Sequence, residues 1–516
     1  MNLKTFVQGF GAAIIVLILR VWPQLSNYHP IIYHSFLPMH NVIWGILIDL
    51  GVLTLLTALL FRYLGKSETG LRTVVWAFVA AELASASVTA FAAMRRAPIP
   101  YLSPDRGFIL TLLAALVLRW LRPLDYRRAV RIFGLLLVLI GCSMVWMIPE
   151  LFYQGLRAQR ADVPVPVSQP TLVSDRKTPP VEDRRIVWLL FDELSYDQAF
   201  DHRFAGLAMP AFDKFKSQSV VFSDLKPAGY YTDRVIPSFF LGTAVENIRS
   251  NLDGEPRVQL AGDQRWQVFD PHATLFADAQ RLGWTTGVVG WYNPYCRILA
   301  GTLNYCFWRM GDGQSDGAMP DHSAWQNAMA PLLEFGRGLK HEPGFAQEKH
   351  AQDHIAIMPQ AQALIRDQSV RFVFIHLAVP HPPGTYDRRH QRATGSYIDN
   401  LALADKALGE LMDTLDGTPL AAKTTIIVCS DHSWRVSMWR STAVWTKEDE
   451  QASRGRFDPR PVLMIHSPGQ QSEQDVTAPF EELRIHEIIE TLLRGGQPAF
   501  PKALLAGGAS PFQTVP

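Results

Sequence analysis

Four short stretches carry side chains of the types and spacings that do chemistry. Asp192 and Glu193 follow an apolar run in RRIVWLLFDELSY, and Thr232 stands five residues before Pro237 in AGYYTDRVIPSFFLG. His381 precedes two prolines in AVPHPPGTYD, and Asp431 and His432 lie side by side in TTIIVCSDHSW. Carboxylates with an imidazole form a mixed oxygen and nitrogen set that suits Zn²⁺ or Mn²⁺ better than Ca²⁺. A threonine hydroxyl is a weak nucleophile that metal coordination or a base can activate. Each piece also has a plain structural reading: the acid pair as a turn cap, Thr232 as a helix cap, His381 as a surface-turn histidine. Arg234 and Arg435 are candidates for contacts to anionic oxygens, with solvent-facing arginines as the alternative.

For these groups to meet, strands must bring them to one edge. The apolar run over 186–191, rich in Val, Ile and Leu, reads as a buried parallel strand whose C-terminal end opens onto a crevice, where open α/β sheets bind ligands. Further strands are expected over 219–222, 285–291, 371–377, 424–429 and 461–466, and helices over 210–216, 396–415 and 481–494. Asp431 and His432 then repeat, at the end of 424–429, the placement of Asp192. Pro237 suits the first turn of a helix, which puts the Thr232 hydroxyl near a helix N-terminus that favours anions. His376, inside its strand, reads as a packing residue. Cys142 and Cys429 read as buried and inert; Cys296 and Cys306, in a loop-like segment, read as a disulfide if the domain lies outside the cytoplasm.

The 516 residues exceed one ordinary core, so two or three units are expected. With 49 basic against 48 acidic residues, no nucleic-acid footprint is visible. Apolar segments over 6–19, 42–60, 74–94, 108–121 and 132–147 crowd the start of the chain. They predict a transmembrane domain over 1–156 with about five helices, a proline-rich linker over 157–184 and an α/β domain over 185–516 with a mostly parallel central sheet. For 6–19 a signal peptide is the alternative, although no small-residue cleavage site follows it. If all five segments span, Lys4, Arg62, Lys66, Arg72, Arg119, Arg122, Arg127, Arg128 and Arg131 share one side, against Arg20, Arg95, Arg96 and Arg106 on the other. Basic residues are retained in the cytoplasm, so the N-terminus is expected inside and the α/β domain outside.

The order FDELSYD, TDRVIPSFFLG, HLAVPHPPG, CSDHSW over roughly residues 184 to 495 resembles the alkaline phosphatase superfamily, in its sulfatase-like branch of membrane-anchored bacterial enzymes. By position, Asp192 matches the metal-binding acid after the first strand, Glu193 the second acid of sulfatases, and Asp431 and His432 the pair of the SDHG motif. Thr232 matches the nucleophile, ten residues before Gly242 and five before Pro237. The resemblance implies one divalent metal, Zn or Mn, with Mg and Ca left open, held by Asp192, Asp431 and His432 with Glu193 and Thr232 as further ligands. His381 would position the transferred group or protonate a leaving oxygen.

This chain departs from the sulfatase pattern. Thr232 is not the Cys or Ser that becomes formylglycine, Ile236 stands where the signature has arginine, and Ser433 replaces the usual glycine. Membrane-anchored phosphoethanolamine and phosphoglycerol transferases use a threonine nucleophile. The expected function is therefore phosphoryl-group transfer, or phosphodiester hydrolysis, from a membrane lipid donor to an envelope lipid or glycan at a bacterial inner membrane. A sulfuric ester hydrolase and a non-catalytic relative that binds a glycan or protein partner are the alternatives.

Overall fold

The computed structural model describes residues 2–25, 39–64, 70–95, 104–160, 184–250, 256–309, 322–340, 344–390 and 394–496. Its C-terminal half is built on eight strands: β1 (Arg185–Phe191), β2 (Val220–Phe222), β3 (Thr286–Trp291), β4 (Tyr305–Arg309), β5 (Phe372–Leu377), β6 (Thr424–Cys429), β7 (Leu463–His466) and β8 (Gln474–Val476). Their order across the sheet is β8-β2-β7-β6-β1-β5-β3-β4. Only β7 runs against its neighbours; every other pairing is parallel.

Strand β1 lies at the centre because both of its faces are covered. Trp188 points into a layer with Phe239, Phe240 and Phe374, while Val187, Leu189 and Phe191 meet the helices on the other side. Successive residues of a strand face opposite ways, so a strand covered on both faces reads as an unbroken apolar run. The Trp188 ring sits 4.6 Å from that of Phe374, and losing such a ring from a core costs about 3–5 kcal/mol. At the other end of β1 the buried Arg185 guanidinium donates to the carbonyls of Leu364, Ile365 and Asp367, which closes the C-terminus of helix Phe345–Arg366.

Register decides what meets at the sheet edge. Leu190 is level with His376 on β5 and with Cys429 on β6. The residues that leave β1, β5 and β6 therefore emerge side by side.

Three expectations need correction. Cys306 lies inside a strand, β4, where a loop was expected; the strand is short and carries Arg309 at its end, so its pattern is weak. Helices Ala324–Leu339 and Phe345–Arg366 have no counterpart among the expected elements. Cys142 is exposed, because the buried face of its helix is Gly134, Leu137 and Gly141 and the next residue turns away from it.

The N-terminal half contains helices α1 (Leu3–Leu25), α2 (His40–Leu64), α3 (Gly70–Arg95), α4 (Pro104–Leu121), α5 (Pro123–Met144) and α6 (Met147–Arg160). Among the described residues α2 alone is long and apolar enough to cross a membrane by itself. Helices α5 and α6 reach that length together, across a bend of 41°, and α1 and α4 hold shorter apolar stretches. Arg119 interrupts α4, and Arg127, Arg128 and Arg131 occupy the start of α5, which shortens both apolar runs. The helical part runs to Arg160, past residue 156, and most of the expected linker, with Arg96, lies outside the described residues. Helix Ala324–Leu339 of the C-terminal half packs on α2 at Gly45, where a Cβ would stand 2.8 Å from Asn327.

Candidate metal and nucleophile site

Asp192 leaves β1, and Asp431 and His432 follow β6 after Ser430. The Ser430 hydroxyl accepts from the Leu194 N–H at 2.8 Å and lies 2.8 Å from the Phe191 carbonyl, which ties the two strand ends together. One ligand atom from each of Asp192, Asp431 and His432 falls within 4.8 Å of the others, and all three side chains are fully buried. Burial raises both carboxyl groups, and at Asp192 the charge of Asp431 adds repulsion.

The hydrogen bonds fix the His432 tautomer. Nδ1 lies 3.1 Å from the Ser433 carbonyl, which can only accept, so the proton sits on Nδ1 and Nε2 presents a lone pair. That lone pair is 3.1 Å from Asp431 Oδ2. Asp431 Oδ2 and Asp192 Oδ1 are buried without a hydrogen-bond partner among the described residues. Acceptors converging this closely without donors repel one another unless a cation lies between them, so the side chains fit a divalent metal.

Thr232 is the first residue of helix Thr232–Leu241, with Tyr231 as the N-cap. Its hydroxyl lies 3.2 Å from His432 Nε2 and 3.4 Å from Asp192 Oδ2. A helix N-terminus favours negative charge at that place. Pro237 falls in the helix interior and not in its first turn; its missing N–H leaves the Asp233 carbonyl without the usual helical donor. The guanidinium of Arg234 lies over the Tyr231 ring, 5.0 Å from its centre.

Glu193 turns elsewhere. Its φ of 63° is in the left-handed region, which aims its carboxylate away from Asp192. Arg435 Nε donates to that carboxylate, and Trp439 Nε1 donates to it at 2.9 Å. Glu193 Oε1 lies 4.0 Å from His432 Nδ1, on the far side of the ring from Nε2. Glu193 is thus not among the converging acceptors and instead holds Arg435, which is where the expectation of a further metal ligand meets a different geometry.

Arg435 in turn reaches His381, Nη2 to Nε2 at 3.2 Å. Arginine only donates, so His381 carries its proton on Nδ1, which is buried and has no partner among the described residues. Burial and the neighbouring guanidinium push His381 well below its ordinary value, which keeps it neutral. Asn400 holds the His381 loop by donating to the carbonyls of His381 and Pro383 at 2.9 and 3.1 Å.

His376 belongs to the site, against its reading as a packing residue. Its Nε2 lies 3.2 Å from Asp192 Oδ2 and its Nδ1 lies 2.6 Å from the Tyr295 hydroxyl. Burial lowers His376 to about 4 and raises the Tyr295 phenol, so the neutral ring accepts from Tyr295 and donates to Asp192. A chain of this kind orients a ligating carboxylate. A histidine at the penultimate position of a buried strand beside the Asp192 strand was the available signal. Cys296 and Cys306 form a disulfide with 5.6 Å between their Cα atoms, joining the turn that carries Tyr295 to β4.

No curated protein matches the chain in sequence. Among solved structures it is similar to the lipoteichoic acid synthase LtaP from Listeria monocytogenes, at 11% identity, TM-score 0.38, over 63% of this chain and 76% of that one. It is likewise similar to the phosphonate monoester hydrolase of Agrobacterium radiobacter, at 13% identity, TM-score 0.36, over 61% and 78%. A third is the PsFucS1 sulfatase from Pseudoalteromonas sp., at 12% identity, TM-score 0.41, over 61% and 68%. The sulfatase family model matches residues 184–494, more than half of the chain and all of the site just described. The chain belongs to the sulfatase family, in the sulfatase-like part of the alkaline phosphatase superfamily.

Proposed function

We propose that this protein is a membrane-anchored, metal-dependent phosphoryl-group transferase or phosphodiester hydrolase with Thr232 as nucleophile. It takes a phosphoethanolamine- or phosphoglycerol-type group from a lipid donor and passes it to an envelope lipid, a glycan or water. The observation that carries this reading is the Thr232 hydroxyl at a helix N-terminus, 3.2 Å from the His432 lone pair and 3.4 Å from Asp192. Threonine cannot become formylglycine, which sets phosphoryl transfer ahead of sulfuric ester hydrolysis.

Asp192, Asp431 and His432 would hold a divalent ion, Zn²⁺ or Mn²⁺ by donor type, which would supply a Lewis acid to lower the pKa of a hydroxyl and neutralise phosphoryl oxygens. The chain's own groups do the rest. Thr232 Oγ1 bonds to phosphorus as the phosphorus–oxygen bond to the lipid alcohol breaks, and its proton leaves through the adjoining carboxylate to solvent while the lipid oxygen gains one. An acceptor hydroxyl or water then displaces Thr232, which recovers its proton. His381, kept neutral, offers its Nδ1–H as a hydrogen bond that positions the transferred group, and Arg234 and Arg435 supply positive charge for its oxygens.

The helical half is read as a multi-pass inner-membrane domain with the N-terminus in the cytoplasm and the sulfatase domain outside. Two features support this. Lys4, Arg72 and Arg131 gather with Phe61 and Leu64 at one end of α2, whereas the sulfatase domain meets α2 at Gly45, near the other end. The Cys296–Cys306 disulfide suits an oxidising compartment.

The test is to incubate the full-length protein with phosphatidylethanolamine or phosphatidylglycerol and to map any added mass. A phosphoryl-bearing adduct on Thr232 is expected, and Thr232→Ala should lower turnover by roughly 10³-fold or more while keeping its metal. Equal turnover in the wild type and Thr232→Ala would refute the nucleophile.

A further inference from the structure

The helical half holds cavities that the catalytic reading does not use. Between α3, α4 and α5 lies an apolar cavity of 400 Å³, walled by Trp76, Ala80, Ala115, Leu118 and Phe133. It shares Tyr126 and Val130 with a cavity of 360 Å³ whose wall carries Arg72, Arg119, Arg127 and Arg131. A third, of 250 Å³, shares Trp76 with the first and Arg72 and Arg131 with the second, and adds Lys4. Among the described residues no carboxylate lines any of the three.

The junction is built. Arg119 Nη1 donates to the Thr73 hydroxyl at 2.8 Å, and that hydroxyl lies 3.0 Å from the Tyr126 hydroxyl, so α3, α4 and α5 are joined where the apolar slot becomes cationic. Leu64, on the wall of the third cavity, lies nineteen residues beyond Gly45 on α2, or ~28 Å along the helix. The cationic mouth therefore opens at the end of the bundle remote from the sulfatase domain.

An apolar slot that leads into a cluster of arginines matches a molecule with a hydrocarbon chain and an anionic head. We propose that these joined cavities bind an anionic glycerophospholipid of the leaflet opposite the sulfatase domain, with an acyl chain along Ala80, Ala115 and Phe133 and the phosphate at Arg72 and Arg131, which line both cationic cavities. A free phosphate would leave the apolar slot unfilled, and a zwitterionic head would set its ammonium among arginines. The inference rests on the reading of the helical half as membrane-embedded; it concerns a site separate from Thr232.

The experiment titrates full-length protein, purified in neutral detergent, with phosphatidylglycerol and phosphatidylcholine and counts retained lipid by native mass spectrometry. Phosphatidylglycerol should be retained roughly 30-fold better than phosphatidylcholine, the effect of two basic side chains. Arg72→Gln with Arg131→Gln should abolish the preference. Ala115→Trp, which fills the slot and keeps every arginine, should lower retention of phosphatidylglycerol; unchanged helix content by circular dichroism and unchanged elution in gel filtration check that both variants are folded. Equal retention of the two lipids by the wild type would overturn the proposal. So would displacement of phosphatidylglycerol by inorganic phosphate combined with no effect of Ala115→Trp, since the site would then serve a free anion. A protein released from membranes by alkaline carbonate would break the membrane reading itself, whereas a membrane-integral protein without lipid preference breaks only this inference.

Discussion

The two halves of the chain are inverted images in polarity. On α2, α4 and α5 large apolar side chains face outward, among them Leu55, Leu56, Leu59, Leu113 and Leu139. In the sulfatase half acidic groups lie inside: Asp192, Glu193, Asp431 and Glu482 are wholly buried. Neither arrangement is stable in water without help, since exposed apolar surface calls for a non-aqueous surrounding and buried charge calls for a counter-charge. The function proposed above answers the difference with a bilayer around one half and a cation in the other.

The largest effect expected from breaking this comparison is at the cation. Asp431→Ala or His432→Ala removes a third of the converging ligand set, and the remaining acceptors no longer balance a divalent ion. Bound metal, read by elemental analysis, should fall below stoichiometry and turnover should drop by roughly 10³-fold or more, with the helical half unchanged. Full occupancy in both variants would mean that the cluster is not a metal site.

Next comes a paired substitution that asks the two surfaces to answer differently. Leu56 on α2 and Ile355 on helix Phe345–Arg366 are 56% and 69% exposed, so in water either should accept a charge. If α2 faces lipid, Leu56→Arg costs about 2.5–3.5 kcal/mol for insertion, whereas Ile355→Arg stays within about 0.5 kcal/mol. Membrane-inserted yield should fall for the first variant alone. Equal behaviour would argue that α2 faces water.

A smaller loss is expected one step behind the ligands. His376→Leu keeps every acceptor but ends the chain from Tyr295 to Asp192. Metal affinity, measured by competition with a chelator, should weaken about 10–100-fold, the usual effect of a lost orienting partner. His376→Gln, which retains a donor, should recover part of it. A merely packing role would make Leu the better tolerated of the two.

The sequence made Asp192, Thr232, Asp431 and His432 legible because each follows or opens a short element with a strong local pattern. What it hid was set at long range. His376 looks like strand core, and only the register that levels it with Leu190, together with a tyrosine 81 residues away, gives it work at the site. Glu193 looks like a twin of Asp192, yet its positive φ turns it to Arg435. Helix Phe345–Arg366 escaped because Pro359 and a polar composition blur its period, although packing against the sheet fixes it. In the helical half the apolar runs were plain, but arginines in α4 and α5 decide which of them suffice to cross a bilayer, and composition alone does not count crossings.

The smallest effect tests whether buried charge in the sulfatase half is carried at a cost away from the cation as well. Asp405, on helix Tyr397–Asp416, accepts from the Phe212 N–H at 2.9 Å and so caps helix Pro210–Lys216. Burial raises its carboxyl from 3.8 to about 6. The folded chain then holds this proton more tightly than the unfolded chain does, so the group's contribution to stability is fully present below the unfolded value and is lost as pH rises through about 6. Asp405→Asn keeps an oxygen to accept from Phe212 and carries no charge at any pH. Its unfolding temperature should match the wild type near pH 4 and exceed it by about 1–2 °C at pH 7.5, measured by scanning fluorimetry on the full chain in detergent. A difference that does not grow between the two pH values would show that the Phe212 hydrogen bond already offsets the burial of the charge, and would confine the cost of buried charge to the site itself.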